Sequence, residues 1–278
     1  MNIDIKSTDF ISIENVDIPD VFYKRFKTNN EIVDTLFGGY GFLPGSTFTL
    51  AGGHGSGKST FLLQVCGMLA EQGKKVAYIS GEESIVQISF NSKRLNLSNV
   101  MVSNLKDVDD ICSKIEANGF HFVVIDSFPT ITVKKTMSSK KKEEYIVQKL
   151  CSTAKKCNIV IGIIQHVTKS GVYKGSSLLP HSVDLTIKMQ KNEEDVEELT
   201  KRDFIVTKNR FGSTSFISLN LKDKGFVFET SKKVKPLEGV RKITLDDAVK
   251  TFGSYYQANK QLIALGFIKK QRGVYTRV

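Results

Sequence analysis

Six short apolar runs punctuate the chain: STFTLA at 46–51, VAYIS at 76–80, FVVID at 122–126, IVIGIIQ at 159–165, VDLTIKM at 183–189 and FIVTK at 204–208. The first four are mostly apolar and rich in β-branched residues, the pattern of strands buried on both faces. Longer amphipathic stretches lie between them, and helices are predicted near 58–72, 84–95, 107–118 and 142–157. Alternation of this kind predicts an α/β fold, a parallel twisted sheet flanked by helices. From Ser182 onward the strand-like runs crowd together, with turns at Gly212 and Gly225. That predicts an antiparallel extension at the sheet edge. No internal repeat has a solenoid period.

The pattern also divides the chain. Residues 1–28 have no clear period and read as an arm. The alternating core occupies 29–230. SKKVKP at 231–236 reads as a linker, and 237–278 as a small module. Within that module, 244–252 and 255–265 read as helices broken at Gly253 and Ser254. Thr244 would cap the first helix and Gly266 would end the second. The runs 267–270 and 274–278 flank Gln271, Arg272 and Gly273, a hairpin signal. Two helices followed by a hairpin outline a winged helix.

Composition narrows the class. The 278 residues are 40% hydrophobic and 25% charged, which excludes a disordered or fibrous chain. No apolar run approaches the roughly 18 residues that span a bilayer. The polar, acidic start MNIDIKSTDF is unlike a signal peptide, so the expectation is a cytoplasmic protein with no membrane partner. Cys66, Cys112, Cys151 and Cys157 include no C-x-x-C pair, which argues against a disulfide framework or a zinc site. Net charge is +11 and unevenly placed. Residues 231–278 hold eleven Lys/Arg against three Asp/Glu, and a second cluster comprises Lys134, Lys135, Lys140, Lys141 and Lys142. Two basic concentrations suggest nucleic acid as a partner, the alternative being solvated surface that keeps the chain soluble.

The chemistry centres on Gly52, Gly53, His54, Gly55, Ser56, Gly57, Lys58 and Ser59, followed by Thr60. This matches G-x-x-x-x-G-K-[ST] between a buried strand and an apolar helix, the context that a phosphate-binding loop requires. Glycines let backbone N–H groups converge on phosphate at a helix N-terminus. Lys58 would neutralise the phosphates of ATP, and Ser59 would ligate Mg²⁺. Asp126 ends the run FVVID, where a strand-end carboxylate faces the ligand crevice and can complete the Mg²⁺ shell. Glu82 and Glu83 follow VAYIS through Gly81, and either could orient or deprotonate water, the other being structural, for instance a cap on the next helix. Gln165 ends IVIGIIQ and could sense the terminal phosphate and report it to the loop 168–177. Lys208 and Arg210 close FIVTK before Phe211 and Gly212, where two cations would project from a rigid edge.

At these residues the chain resembles the RecA-like ATPase core of RadA/Sms proteins, within the RecA/DnaB superfamily. The likeness includes Leu43 to Ser46, Gly57 to Gln64, the S-G-E-E-S run Ser80 to Ser84, and Val124 to Ser127. It continues with His166 to Lys169, Gly171, His181 and Asp184. The most specific element is Lys208, Asn209, Arg210, Phe211 and Gly212, similar to the K-N-R-F-G motif that marks RadA. It covers about residues 26–230.

The resemblance implies an ATPase of a superfamily that generally works as hexameric rings or filaments around single-stranded DNA. It places Glu82 as the water-activating glutamate, and Lys208 with Arg210 as a basic pair reaching the neighbouring subunit's nucleotide. It makes the stretch Lys134 to Lys142 one DNA-gripping loop. Residues 168–177, with Lys169, Tyr173 and Lys174, would be another. Lys269, Lys270 and Arg272 of the module would add contacts to duplex or branched DNA.

There are departures from the family. RadA has an N-terminal four-cysteine zinc motif and a C-terminal protease-like domain, and this chain shows neither. RadA usually carries a small residue where Gln165 stands. The expectation is a RadA-type core in a reduced chain, bacterial or phage-encoded. Its role would be that of an ATP-driven DNA motor or helicase in recombination or replication, or a DnaB-like replicative helicase. The competing expectation is an ATP-switched DNA-binding or adaptor protein that does not translocate.

Overall fold

The computed structural model describes residues 10–167, 178–191 and 199–228, with the strand segments 242–244, 267–271 and 274–277. The chain divides into two compact units, Met1–Phe228 and Glu229–Val278. In the arm, two 3-10 turns, Ile13–Asn15 and Asp20–Phe22, bury no side chain. The core begins at Phe26, which exchanges backbone hydrogen bonds with Phe42, slightly before the expected residue 29. Helix α1 (Glu31–Leu36) follows, its N-cap Asn30 accepting from the N–H groups of Ile32 and Val33.

Strands and helices then alternate through β1 (Thr47–Gly52), α2 (Lys58–Glu71), β2 (Val76–Ser80), α3 (Ile85–Arg94), β3 (Val100–Ser103), α4 (Val108–Asn118), β4 (Phe122–Asp126), α5 (Ser139–Cys157) and β5 (Val160–His166). The chain continues through α6 (Leu178–Ser182), β6 (Leu185–Lys191), β7 (Lys201–Asn209), β8 (Phe216–Lys222) and β9 (Gly225–Val227). These strands form one sheet in the order β3-β2-β4-β5-β1-β6-β7-β8-β9. β1 to β6 are mutually parallel, and β7, β8 and β9 add antiparallel. The antiparallel extension therefore starts one strand later than expected. β6 pairs with β1 in parallel, so it belongs to the layer that carries the site.

Burial on both faces explains the continuous apolar runs. Along β4, Phe122 and Val124 enter one cluster with Phe48, Leu50, Phe61 and Phe204. Val123 and Ile125 enter the other with Ile111, Ile115, Leu150 and Ile163. Each side chain removed from water contributes roughly 1.5–3 kcal/mol.

β3 escapes the sequence pattern because it is a four-residue edge strand with no fully buried position. α5 begins three residues before its expected start, because Lys140 to Lys142 precede its first buried residue, Ile146.

The second unit shows β10 (Lys242–Thr244), β11 (Phe267–Gln271) and β12 (Val274–Arg277) in the antiparallel order β10-β12-β11. The expected hairpin is β11–β12. Thr244, expected to open and cap a helix over 244–252, instead ends a strand that the sequence did not announce, and the rest of that helix and the one expected over 255–265 lie outside the described residues. Among the described residues no helix is long and apolar enough to cross a membrane.

Candidate nucleotide-binding site

The site forms at the C-terminal ends of the parallel strands, where an open α/β sheet binds its ligand. All six residues of β1 are buried, and its last, Gly52, leads into the loop before α2. Gly55 and Gly57 hold φ of 64° and 102°, so the loop turns through left-handed backbone. A Cβ at Gly57 would also lie 2.8 Å from Leu221 Cδ2. Arg202 of β7 braces the loop from outside, donating from Nε to the Ser56 carbonyl at 2.9 Å. Nothing in the sequence had singled it out.

Lys58 is buried, and its ammonium donates to the carbonyls of Gly52 (2.9 Å) and Gly53 (2.7 Å). Burial pulls its pKa down to about 8, against the carboxylates of Asp126 and Glu82. Phosphate oxygens can replace those carbonyls and return a full counter-charge.

Asp126 is also buried at the end of β4. Ser59 Oγ donates to its Oδ2 at 2.7 Å and Tyr78 Oη to the same oxygen at 2.5 Å. Burial pushes the Asp126 pKa up, opposed by these two hydrogen bonds. A serine hydroxyl touching a carboxylate at a helix N-terminus is a hard-oxygen donor pair, which fits Mg²⁺. Tyr78 is a member of the site that the sequence had placed only in a buried strand.

Glu82 and Glu83 separate by environment. Ser80 Oγ accepts from both backbone N–H groups, at 3.2 and 2.9 Å, and sets the turn after β2. The Glu82 carboxylate accepts from Ser127 Oγ, and its Oε1 lies 3.0 Å from His166 Nε2. Burial works upward on its pKa, but the Ser127 and His166 hydrogen bonds outweigh it and leave the group below the usual carboxylate range. Glu83 moves upward, through burial and then the Asp126 charge. Neither glutamate caps α3, because Ser84 does so in a capping box with Gln87. His54 of the loop stacks on His166, with ring centroids 4.3 Å apart and planes 13° apart.

Gln165 is buried, and neither amide atom has a hydrogen-bond partner among the described residues. The structure brings Lys58, Ser59, Asp126, Glu82 and Gln165 to one edge of the sheet. It does not bring Lys208 and Arg210 there. Asp184 accepts from Thr47 N at 2.9 Å and receives the Arg210 guanidinium at 3.2 Å. Arg210 therefore sits at the N-terminal end of β1, while the phosphate loop follows its C-terminal end. Five residues of strand at about 3.3 Å each put roughly 16 Å between them. The Lys208 ammonium donates to the carbonyls of Pro180, His181 and Val183 around the end of α6.

The expected DNA contacts are scattered. Lys134 pairs with Asp110 at 2.5 Å, Lys135 is exposed, and Lys140, Lys141 and Lys142 occupy the first turn of α5 rather than a loop. Lys269 and Lys270 lie in β11. Lys169, Tyr173, Lys174 and Arg272 lie outside the described residues.

The chain is similar to known proteins. A family model described as AAA domain matches residues 14–172, more than half of the chain. The DNA repair protein RadA of Listeria monocytogenes is 37% identical over 213 residues, covering 73% of this chain and 45% of that protein. RadA of Campylobacter jejuni is 32% identical over 222 residues, covering 78% and 48%. The chain thus spans about half the length of these relatives. A solved DnaB-like replicative helicase superposes with a TM-score of 0.64 at 15% identity, over 73% of this chain and 62% of that one. That likeness shows the fold. The match begins at residue 14, inside the stretch that the sequence left as an arm. The chain belongs to the AAA domain family, with a RadA-like RecA-fold ATPase core.

Proposed function

We propose that this protein is an ATP-driven motor on single-stranded DNA, RadA-like in type, acting in recombination or replication as a homo-oligomeric, hexameric ring. The observation that carries the reading is the meeting of Lys58, Ser59, Asp126 and Glu82 at one sheet edge. Bound Mg²⁺ supplies charge that neutralises the phosphates. The chain's own residues do the rest. The loop N–H groups and Lys58 hold the phosphates, and Ser59 and Asp126 hold the metal. Glu82, ionised at neutral pH, takes the proton of the attacking water. Gln165, buried and without a side-chain partner among the described residues, is the group that senses the terminal phosphate. Arg210 is too far to reach its own nucleotide and acts on a neighbour's, with Lys208 beside it. Its pairing with Asp184 in the single chain is exchanged for phosphate at that interface.

The DNA part of this reading rests on the basic clusters and on the RadA likeness. The placement of Lys134 in an ion pair favours a second reading, an ATP-switched adaptor. The test of the catalytic assignment is a pair of variants. Glu82→Gln should bind ATP with near-normal affinity and lose about 10²–10⁴-fold in single-turnover hydrolysis, while Glu83→Gln should lose far less. The reverse ranking would remove Glu82 from the role.

A further inference from the structure

Glu82 reaches into the site on a long side chain that is 41% exposed. Among the described residues its carboxylate has two hydrogen-bond partners, Ser127 Oγ and His166 Nε2. The His166 side chain is only 11% exposed, closes the buried strand β5, and lays its ring face on His54 of the phosphate loop. The chemistry also fixes its proton. An ionised carboxylate only accepts, so Nε2 carries the proton that it donates to Glu82. The other nitrogen, Nδ1, is buried with no partner among the described residues. Among the described residues the ring's directed hydrogen bond goes to Glu82. Nearby charge comes from Lys58 and Asp126, across the same cleft.

We propose that His166 is a positioning residue for Glu82. Its Nε2–H holds the carboxylate in the orientation from which it takes the proton of water. The stack on His54 ties that orientation to the phosphate loop. The inference rests on the reading of Glu82 as the base.

The test uses the full chain with His166→Ala, His166→Phe and His166→Gln, together with Glu82→Gln and the Glu82→Gln/His166→Ala double variant. In the nucleotide-free protein, the imidazole ¹⁵N resonances of His166 should move on Glu82→Gln, while those of His121 stay in place. With Mg²⁺ and ATP, His166→Ala should lower kcat on the order of tenfold, below the 10²–10⁴-fold that a general base supplies. Nucleotide affinity should stay within about twofold. His166→Phe keeps the stacked ring without the donor and should fall equally, which guards against a folding defect. His166→Gln restores a donor and should recover most of the rate. In the Glu82→Gln background, His166→Ala should cost nothing more. An unchanged or raised kcat in His166→Ala and His166→Phe, additive losses in the double variant, or unmoved His166 resonances would each overturn the proposal. Normal turnover in Glu82→Gln would instead remove the base itself, and the proposal with it.

Discussion

At Lys58, burial and charge pull in opposite directions. The ammonium sits among loop carbonyls with its pKa lowered to about 8. A polyphosphate favours the protonated form. Nucleotide affinity should therefore be flat below about pH 8 and fall as pH rises past it, with proton uptake on binding. Calorimetric titration in two buffers of different ionisation enthalpy, between about pH 7 and 9.5, would show the slope, and Lys58→Ala should lack it. A pH-independent affinity would mean that the ammonium stays fully charged without ligand. The residue types at the site were legible because the loop motif fixes spacing and Asp126 ends an apolar run. Tyr78, His166 and Arg202 were not legible in these roles. Their partners lie 48, 84 and 146 positions away, and no local pattern reports a contact made by folding.

Among the elements, α5 opens against electrostatic preference. Its first turn carries Lys140, Lys141 and Lys142 with no acidic residue, and its N-cap Ser138 makes no side-chain cap. A helix N-terminus is the positive end, where each cation costs roughly 0.3–1 kcal/mol. A cluster kept at that cost fits a role toward a polyanion. Replacing all three by Glu should leave thermal stability unchanged or raise it, and should weaken single-stranded DNA binding. The slope of log affinity against log salt should flatten by about 2, three contacts at ~0.7 each. Fluorescence anisotropy across a salt series, with a thermal melt alongside, checks both halves. A destabilised variant with an unchanged slope would make these lysines structural. The same lysines hid the helix start from the sequence pattern. β3 was hidden in a different way, as an edge strand too short and too exposed for periodicity to register.

For the whole molecule, the sheet register settles which interactions one chain can make with its own loop. Arg210, anchored to Asp184 beside the start of β1, lies roughly 16 Å of strand away from its own loop. If it serves a neighbour, activity needs two subunits. Lys58→Ala and Arg210→Ala chains, each inactive alone, should partly recover ATPase activity when mixed under conditions of verified exchange. No recovery despite exchange would leave Arg210 as a brace for Asp184. Sequence alternation captured the α/β plan of this unit, but not its strand order, because β1 pairs with β5 and β6 through contacts more than a hundred residues apart.

The central claim is that this site hydrolyses ATP in the service of movement on DNA. Steady-state ATP hydrolysis by the full chain, with and without single-stranded DNA, tests it most directly. A motor should be stimulated several-fold, with the stimulation lost in Lys58→Ala. A measurable basal rate that is indifferent to DNA would contradict the motor and point to a nucleotide-switched adaptor.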